Sequence, residues 1–306
     1  MPTANKPITP NLWFDRQAEE AARFYVSVFK YSRVRQVVRA SGARSETTGL
    51  TAGTVMTVEF ELEGQRFVGI NGGPLFKFNP SISFMVACAA KEEVDGIWNK
   101  LIEGGLALME LDSYPFSERY GWVQDKYGLS WQVMYSGGRP IIQKITPSLM
   151  FTGENYGKAE TAINFYTSVF RNSEMGAISR YGKGHEPDRE DAINYASFTL
   201  EGQQFAAMES ALEHKFTFNE AISLMIECQT QPQIDYYWDR LTSGGGQESV
   251  CGWLKDRFGV SWQVTPTVLS KMLGDKDPAK MERVTNAFLE MKKFDIAGLK
   301  KAFEGE

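Results

Sequence analysis

Side chains suited to proton transfer are few, because the chain of 306 residues contains only two histidines, His185 and His214. His214 lies in a loop close to Glu209, and the pKa of imidazole near neutrality makes it a candidate general base. Glu59 is a second candidate, since a carboxylate on the inner side of a strand beside Trp13 would be desolvated and more basic. Glu59, His214 and Glu209 are therefore the candidate catalytic residues. The alternatives are a solvated loop histidine for His214 and an exposed-face glutamate on an edge strand for Glu59.

The composition is that of a soluble globular protein, with 42% hydrophobic, 13% aromatic and 23% charged residues. The net charge of −5 argues against a nucleic-acid partner. The sequence contains no run of 18 apolar residues, so no membrane span is predicted. Residues 1–9 lack the apolar core of a signal peptide. Three cysteines without a CxxC motif make a disulfide framework unexpected, so a reducing cytoplasm is predicted.

The elements that must position these side chains occur twice, because the chain is a tandem repeat. The matching segments are 8–14 with 145–151, 24–29 with 165–170, 62–65 with 200–203, and 121–133 with 252–264. We therefore expect one domain at residues 6–138, a second at 142–267 and an unrepeated tail at 268–306.

Each repeat divides again into two modules of similar order. In the first module a strand at 8–14 precedes a helix at 17–29, for which Asp15 is the expected cap. Further strands are predicted at 32–40, 54–62 and 65–71. Four such βαβββ modules predict an α+β fold, because two helices among about eight strands per repeat are too few for a doubly wound sheet.

Strand parity identifies a candidate binding surface. Successive side chains of a strand point to opposite faces, so we expect the polar members of each alternating strand to line a cavity. A mostly apolar cavity with a few such groups is typical of small-molecule sites. The predicted ligand-binding residues are Thr9, Asn11, Trp13, Asn71, Ser83, Gln132, Ser148, Tyr195, Ser223 and Gln263.

Three longer motifs carry a resemblance to a known family. They are CGWLKDRFGVSWQV at 251–264, NGGPLFKFN at 71–79 and FNEAIS at 218–223. These motifs resemble the PhnB-like family of the glyoxalase/bleomycin-resistance, or vicinal-oxygen-chelate, superfamily, which is commonly labelled 3-demethylubiquinone-9 3-methyltransferase. The resemblance covers roughly residues 6–266 and implies paired sheets that curve around a ligand-sized cavity.

The resemblance also implies positions for a metal. Metal-using members of the superfamily place His and Glu on the first, fourth, fifth and last strands of this arrangement. The matching residues here are Thr9, Asn71, Ser81 and Gln132, and in the second repeat Thr146, Glu209, Ala221 and Gln263. Hydroxyl and amide groups are weak ligands for zinc or iron, so we expect no metal site and no other cofactor.

Several functions are compatible with a cavity of this kind. The protein is expected to bind a small organic molecule, either as a metal-independent enzyme or as a non-catalytic protein like the bleomycin-resistance branch. The family label implies a methyltransferase as a further alternative, although the glycines at 69–74 precede a strand rather than the helix of a nucleotide cradle. The expected partner is a small molecule, not nucleic acid or membrane. The repeats should pack as an intrachain pseudo-dimer, and homodimerisation stays open.

The tail at 268–306 predicts two helices. Asp277 followed by Pro278 indicates a helix start, and Asp295 can cap a second, shorter helix. The first helix would carry an apolar stripe of Met281, Val284, Phe288 and Met291. These helices form either a brace docked on the repeats, which we favour, or a lid over a cavity.

Overall fold

The computed structural model describes residues 7–40, 51 and 53–306, so residues 1–6, including the expected start of the first domain, lie outside it. The first repeat comprises β1 Ile8–Phe14, α1 Ala18–Val28, β2 Arg33–Arg39, β3 Val55–Leu62, β4 Gln65–Asn71, β5 Ile82–Cys88, α2 Lys91–Leu101, β6 Leu106–Tyr114, β7 Ser117–Gln124 and β8 Ser130–Tyr135. The second repeat comprises β9 Ile145–Thr152, a 3₁₀ turn Gly153–Asn155, α3 Ala159–Val169, β10 Glu174–Arg180, β11 Ile193–Leu200, β12 Gln203–Ser210, β13 Ile222–Cys228, α4 Gln231–Thr242, β14 Gln247–Glu248, β15 Trp253–Lys255 and β16 Ser261–Pro266. The predicted α+β fold of four βαβββ modules is confirmed.

The tail forms α5 Thr267–Leu273, α6 Pro278–Glu290 and α7 Ile296–Glu304. Asp277 and Asp295 cap α6 and α7 as predicted, each accepting a hydrogen bond from a main-chain N–H two residues on. Helix α5 was not expected from the sequence. Within the described part of the chain, no helix is long and apolar enough to cross a membrane.

Each sheet combines modules from both repeats. In the first sheet β1 pairs antiparallel with β13, and the order is β14-β15-β16-β13-β1-β4-β3-β2. In the second sheet β5 pairs antiparallel with β9, and the order is β10-β11-β12-β9-β5-β8-β7-β6. The two modules of each repeat therefore lie in different sheets. The limits 6–138 and 142–267 mark the duplicated segments and stay predicted domain boundaries.

Equivalent residues of the two repeats make reciprocal contacts. The Asn79 side-chain amide donates to the carbonyl oxygen of Thr217 at 3.0 Å. Its counterpart Asn219 donates to the carbonyl oxygen of Lys77 at 2.9 Å. Such reciprocity is the property of a two-fold interface. The predicted intrachain pseudo-dimer is confirmed.

A buried aspartate in each repeat joins the long motif to the rest of the core. Asp256 accepts hydrogen bonds from the indole N–H of Trp262 at 2.9 Å and from the hydroxyl of Tyr166 at 2.8 Å, which connects the loop before β16 to α3. Asp125 accepts from the indole N–H of Trp131 at 2.9 Å. Burial raises the pKa of each carboxyl to about 6, and hydrogen bonds oppose this rise in part.

These two aspartates predict a dependence of stability on pH. Their folded-state pKa of about 6 lies above the ordinary value of 3.8, so the folded protein binds more protons than the unfolded chain between these values. Their contribution to the free energy of unfolding is therefore largest at low pH and is lost as pH rises through about 6.

The substitution Asp256→Asn removes one of these titrations. Urea unfolding at pH 5 and pH 7.5, followed by tryptophan fluorescence, should show a smaller fall in stability with pH for the variant than for the wild type. Equal slopes for the two proteins would contradict this assignment.

The tail docks on the edge of the first sheet. The main-chain N–H groups of Cys251 and Gly252 donate to the carbonyl oxygens of Met291 and Lys292 at 2.7 and 2.8 Å. Phe294 is only 2% exposed, and its ring lies so close to Gly252 that an added Cβ would be 2.4 Å from it. The predicted apolar stripe of α6 is packed largely against the core, with Val284 fully buried. This packing agrees with a brace.

Phe294→Ala should lower the free energy of unfolding by about 3–5 kcal/mol, because it removes a buried ring and leaves a cavity. Phe116 is 57% exposed and provides a matched control, so Phe116→Ala should change stability by less than about 1 kcal/mol. Chemical denaturation of both variants measures the difference. Equal, small losses would show that the tail does not brace the sheet.

Candidate functional site

Each sheet presents a row of polar side chains on its inner face, opposite the apolar face that packs on the helices. Neighbours in register project from the same side of a sheet. The first-sheet row is Asn11, Ser223, Ser261 and Lys255, on β1, β13, β16 and β15. The second-sheet row is Ser148, Ser83 and Ser130, on β9, β5 and β8. The strand-parity prediction thus brings residues of different modules onto common surfaces.

The first-sheet cavity, of about 460 Å³, lies at one end of its row. The Trp13 ring centroid is 5.0 Å from that of Phe76 and 6.0 Å from that of Trp253, both in edge-to-face arrangement. The other lining residues are Leu75, Glu220, Gln247, Glu248, Ser249, Val250, Cys251, Leu254, Lys255 and Ser261. Lys255 and Glu220 form an ion pair of 2.7 Å, and Glu248 is the third charged residue among those that line this cavity.

The indole of Trp13 is held in place by the turn after β4. A Cβ on Gly72 would lie 2.2 Å from the indole ring, so only glycine allows the ring to rest on this backbone. The indole N–H also donates to the carbonyl oxygen of Gly73 at 2.8 Å. The double glycine at 72–73 therefore positions an aromatic wall.

Ser261 supplies a buried hydroxyl in the wall of the first-sheet cavity. It is 1% exposed, and its oxygen has no hydrogen-bond partner among the described residues. Its counterpart Ser130 accepts a hydrogen bond from the indole N–H of Trp122 at 2.7 Å. In the first sheet the corresponding indole, Trp253, packs against Trp13 instead. A buried polar atom without a partner is unfavourable, so this hydroxyl is available to a ligand.

Some serines of the two rows are hydrogen-bonded to neighbouring glutamines on the same inner faces, and other polar side chains there have no partner. The side-chain amide of Gln263 donates to Ser223 at 2.8 Å, and that of Gln132 donates to Ser83 at the same distance. In each row, a further side chain has an oxygen without a partner in the described part of the chain; these are Asn11 and Ser148. Thr9 lies on the same inner face and is 1% exposed.

Asn71 and Glu209 occupy equivalent positions and have equivalent structural roles. The Asn71 amide oxygen accepts from the N–H of Ala18 at 2.9 Å and so caps α1, where Asp15 was the expected cap. Glu209 accepts from the N–H of Ala159 at the start of α3, at 2.8 Å. Its second oxygen accepts from the N–H of Ile193 at 2.8 Å. Both carboxylate oxygens of Glu209 are therefore engaged by main chain.

The donor set does not fit a superfamily-type metal. Glu209 is the one strong ligand type at the matching positions, and its oxygens are already used. Across residues 7–40, 51 and 53–306, no group of three or more His, Cys, Asp or Glu side chains is arranged to hold a metal ion.

Glu59 lies among charged neighbours rather than in a desolvated pocket. Its carboxylate forms ion pairs with Arg66 at 3.0 Å and with Arg35 at 3.3 Å. Arg66 also contacts Glu227 across the β1–β13 junction at 2.5 Å. These arginines occupy the lone pairs of the carboxylate. The arrangement is a charged network that joins the two halves of the first sheet.

His214 lies outside both inner faces. Its Nε2 is 2.9 Å from the hydroxyl of Ser210, and its ring lies 4.9 Å from that of Phe216. Burial lowers the pKa of His214, and the negative charge of Asp188 opposes that shift. His214 follows β12 of the second sheet, whereas Glu59 lies on β3 of the first, so the two candidates lie in different parts of the molecule.

Tyr195 belongs to a separate, second-sheet cavity of about 310 Å³. This cavity is lined by strand residues such as Met85 and Thr146 and by the segment 139–143 that connects the repeats. The two sheets thus have chemically different cavities.

Sequence reasoning missed most of the first-sheet cavity wall. Phe76, Glu220 and Lys255 were not among the predicted ligand-binding residues. Strand parity applies only inside strands, and Phe76 and Glu220 lie in segments between strands. Both fall within the motifs at 71–79 and 218–223, which was the available signal.

Comparison with known proteins agrees with this architecture. Residues 6–134 and 143–265 both match the family described as 3-demethylubiquinone-9 3-methyltransferase. A PhnB protein from Bacillus cereus is 39% identical over 43% of this chain and 100% of its own, with a TM-score of 0.39. Glyoxalase I from Zea mays is 10% identical over 88% of this chain and 97% of its own, with a TM-score of 0.55, which shows the shared fold. No curated protein shows a significant match. The chain belongs to the 3-demethylubiquinone-9 3-methyltransferase, or PhnB-like, family and contains two copies of its domain.

Proposed function

We propose that this protein binds a small, largely apolar aromatic molecule in the first-sheet cavity. The observation that carries the proposal is the unpartnered hydroxyl of Ser261 in a wall that includes the aromatic rings of Trp13, Phe76 and Trp253. Rigid aromatic walls with one or two polar groups are typical of small-molecule sites, in which the polar groups fix orientation. A ligand with one hydrogen-bonding group would satisfy Ser261 while its ring contacts the indoles.

Binding without a bound metal is favoured over the other functions considered. The side chains first proposed for catalysis are engaged elsewhere: Glu209 caps a helix, Glu59 is paired with arginines, and His214 contacts Ser210. The methyltransferase named in the family description would need a cofactor cradle. The glycines at 72–73 instead seat the ring of Trp13 and are followed by a loop and β5, not by a helix.

A metal-independent enzyme is the second candidate, because one acid–base pair lines the first-sheet cavity. Lys255 and Glu220 are 2.7 Å apart, and a ligand that separated them would face an ammonium and a carboxylate able to exchange a proton. Native mass spectrometry of the purified protein, followed by incubation and extraction of any bound molecule, distinguishes the two functions. Recovery of an unchanged molecule supports binding, and conversion to a product supports an enzyme.

Trp253→Ala should weaken binding of 2-naphthol, an aromatic probe with one hydroxyl, by at least about tenfold, because it removes one aromatic wall. Trp122 occupies the equivalent position in the second sheet, so Trp122→Ala is the matched control and should leave the affinity unchanged. Isothermal titration calorimetry measures both. Equal losses in the two variants would place the probe outside the first-sheet cavity.

Ser261→Ala should leave the free energy of unfolding unchanged or slightly higher, because its hydroxyl has no partner to lose. Ser130→Ala should lower it by about 1–2 kcal/mol, because the indole N–H of Trp122 loses its acceptor. Ser261→Ala should also weaken binding of 2-naphthol but not of naphthalene, as measured by ligand-observed NMR. The same effect on both probes would refute a role for this hydroxyl in ligand orientation.

A further inference from the structure

The segment that connects the two repeats forms one wall of the second-sheet cavity and is firmly held. The Gln143 side-chain amide donates to the carbonyl oxygen of Gln204 on β12 at 2.8 Å. The N–H of Gln204 donates back to the Gln143 side-chain oxygen at 3.1 Å. This reciprocal pair fixes the segment 139–143 against the sheet, so its residues are constant parts of the wall.

Arg139 in this segment has a positioned but unneutralised guanidinium. Its N–H and its Nε both donate to the carbonyl oxygen of Ser136, at 3.3 and 3.0 Å. Among the described residues no carboxylate forms an ion pair with Arg139, and its two terminal nitrogens have no acceptor. Arg139 is also the one charged residue among those lining this cavity. The cavity therefore has a net positive charge, whereas Glu220 neutralises Lys255 in the first-sheet cavity.

Polar and apolar groups are arranged around this charge. The hydroxyl of Tyr195 has no hydrogen-bond partner in the described part of the chain, and it lines the cavity together with Ser197 and Thr146. Tyr195 and Arg139 line the same cavity; burial raises the pKa of Tyr195, and the charge of Arg139 opposes the rise. Ser148, two residues beyond Thr146 on the same strand face, is 1% exposed and its oxygen also lacks a partner.

The rest of the cavity wall suits a flexible hydrocarbon. It includes Met85, Met134, Ile141 and Phe205, without a tryptophan. Unbranched methionine side chains adapt to ligands of irregular shape. The first-sheet cavity, by contrast, has rigid aromatic walls.

We propose that the second-sheet cavity is a separate binding site for an organic anion, a carboxylate with an unbranched apolar body. The guanidinium of Arg139 matches a carboxylate in charge and geometry, and the Tyr195 hydroxyl is a further donor. The apolar body contacts Met85, Met134 and Phe205. This site does not depend on the function proposed for the first-sheet cavity.

Octanoate and octanamide are suitable probes, because they share an apolar body and differ in charge. The wild-type protein should bind octanoate at least tenfold more tightly than octanamide, as measured by isothermal titration calorimetry. Arg139→Gln should weaken octanoate binding at least tenfold and leave octanamide binding unchanged, so that the preference disappears. Arg139→Lys, which keeps the charge, should restore part of it.

Arg180→Gln is the matched control, because Arg180 lies on β10 of the same sheet and is paired with Glu160 at 2.8 Å. It should leave octanoate affinity unchanged. Arg139 is exposed, so its substitution should not impair folding, and the melting temperature of each variant checks this. Trp253→Ala, in the first-sheet cavity, should also leave octanoate binding unchanged.

Three results would overturn the proposal: no measurable binding of octanoate, equal affinity for octanoate and octanamide, or octanoate binding that survives Arg139→Gln. If octanoate binding is instead lost in Trp253→Ala, the anion occupies the first-sheet cavity and the assignment to the second sheet is wrong. A failure of 2-naphthol to bind leaves this test unaffected, so the two proposals succeed or fail separately.

Discussion

Antiparallel pairing of β1 with β13, and of β5 with β9, is the interaction on which the rest of the structure depends. The N–H of Trp13 donates to the carbonyl oxygen of Ala221 at 2.8 Å, and the N–H of Met150 donates to that of Ser81 at 2.7 Å. Each bond joins one repeat to the other, and each would leave an unpaired strand edge if the repeats separated. The inner faces that hold both cavities exist only because these central strands meet.

The duplication then explains why a single chain forms both sheets. Buried Gln203 donates to its own counterpart Gln65 at 3.0 Å, as expected of residues near a two-fold axis. A half-sheet of four strands from one module would leave β1, β5, β9 or β13 as an exposed edge. In each sheet the first module of one repeat pairs at that edge with the second module of the other repeat. Stability and site formation are thus a single event, since the strand pairing that buries the core also creates the inner faces.

The two sheets have diverged in the length of their edge strands and in the segments outside the modules that pack against them. The first sheet has a two-residue β14 and a three-residue β15, and the tail contributes main-chain acceptors beside Cys251 and Gly252. The second sheet keeps a long β6–β7 hairpin, and the segment 139–143 lines its cavity instead. The same module architecture therefore presents an aromatic cavity with an internal ion pair on one side and a methionine-lined cavity with an unpaired arginine on the other.

The sequence by itself determined the elements and their faces. Periodicity located the strands and helices, duplication identified the repeats, and strand parity placed Asn11, Ser223 and Gln263 on the polar faces of their own strands, because these signals depend on local geometry alone. Tertiary structure alone decided which modules share a sheet, since βαβββ modules of similar sequence can pair within a repeat or across repeats. It also decided that Glu209 and Asn71 cap helices and that Ser261 lacks a partner. Those outcomes depend on which groups meet in space, and residues far apart in sequence carry no local signal of such a meeting.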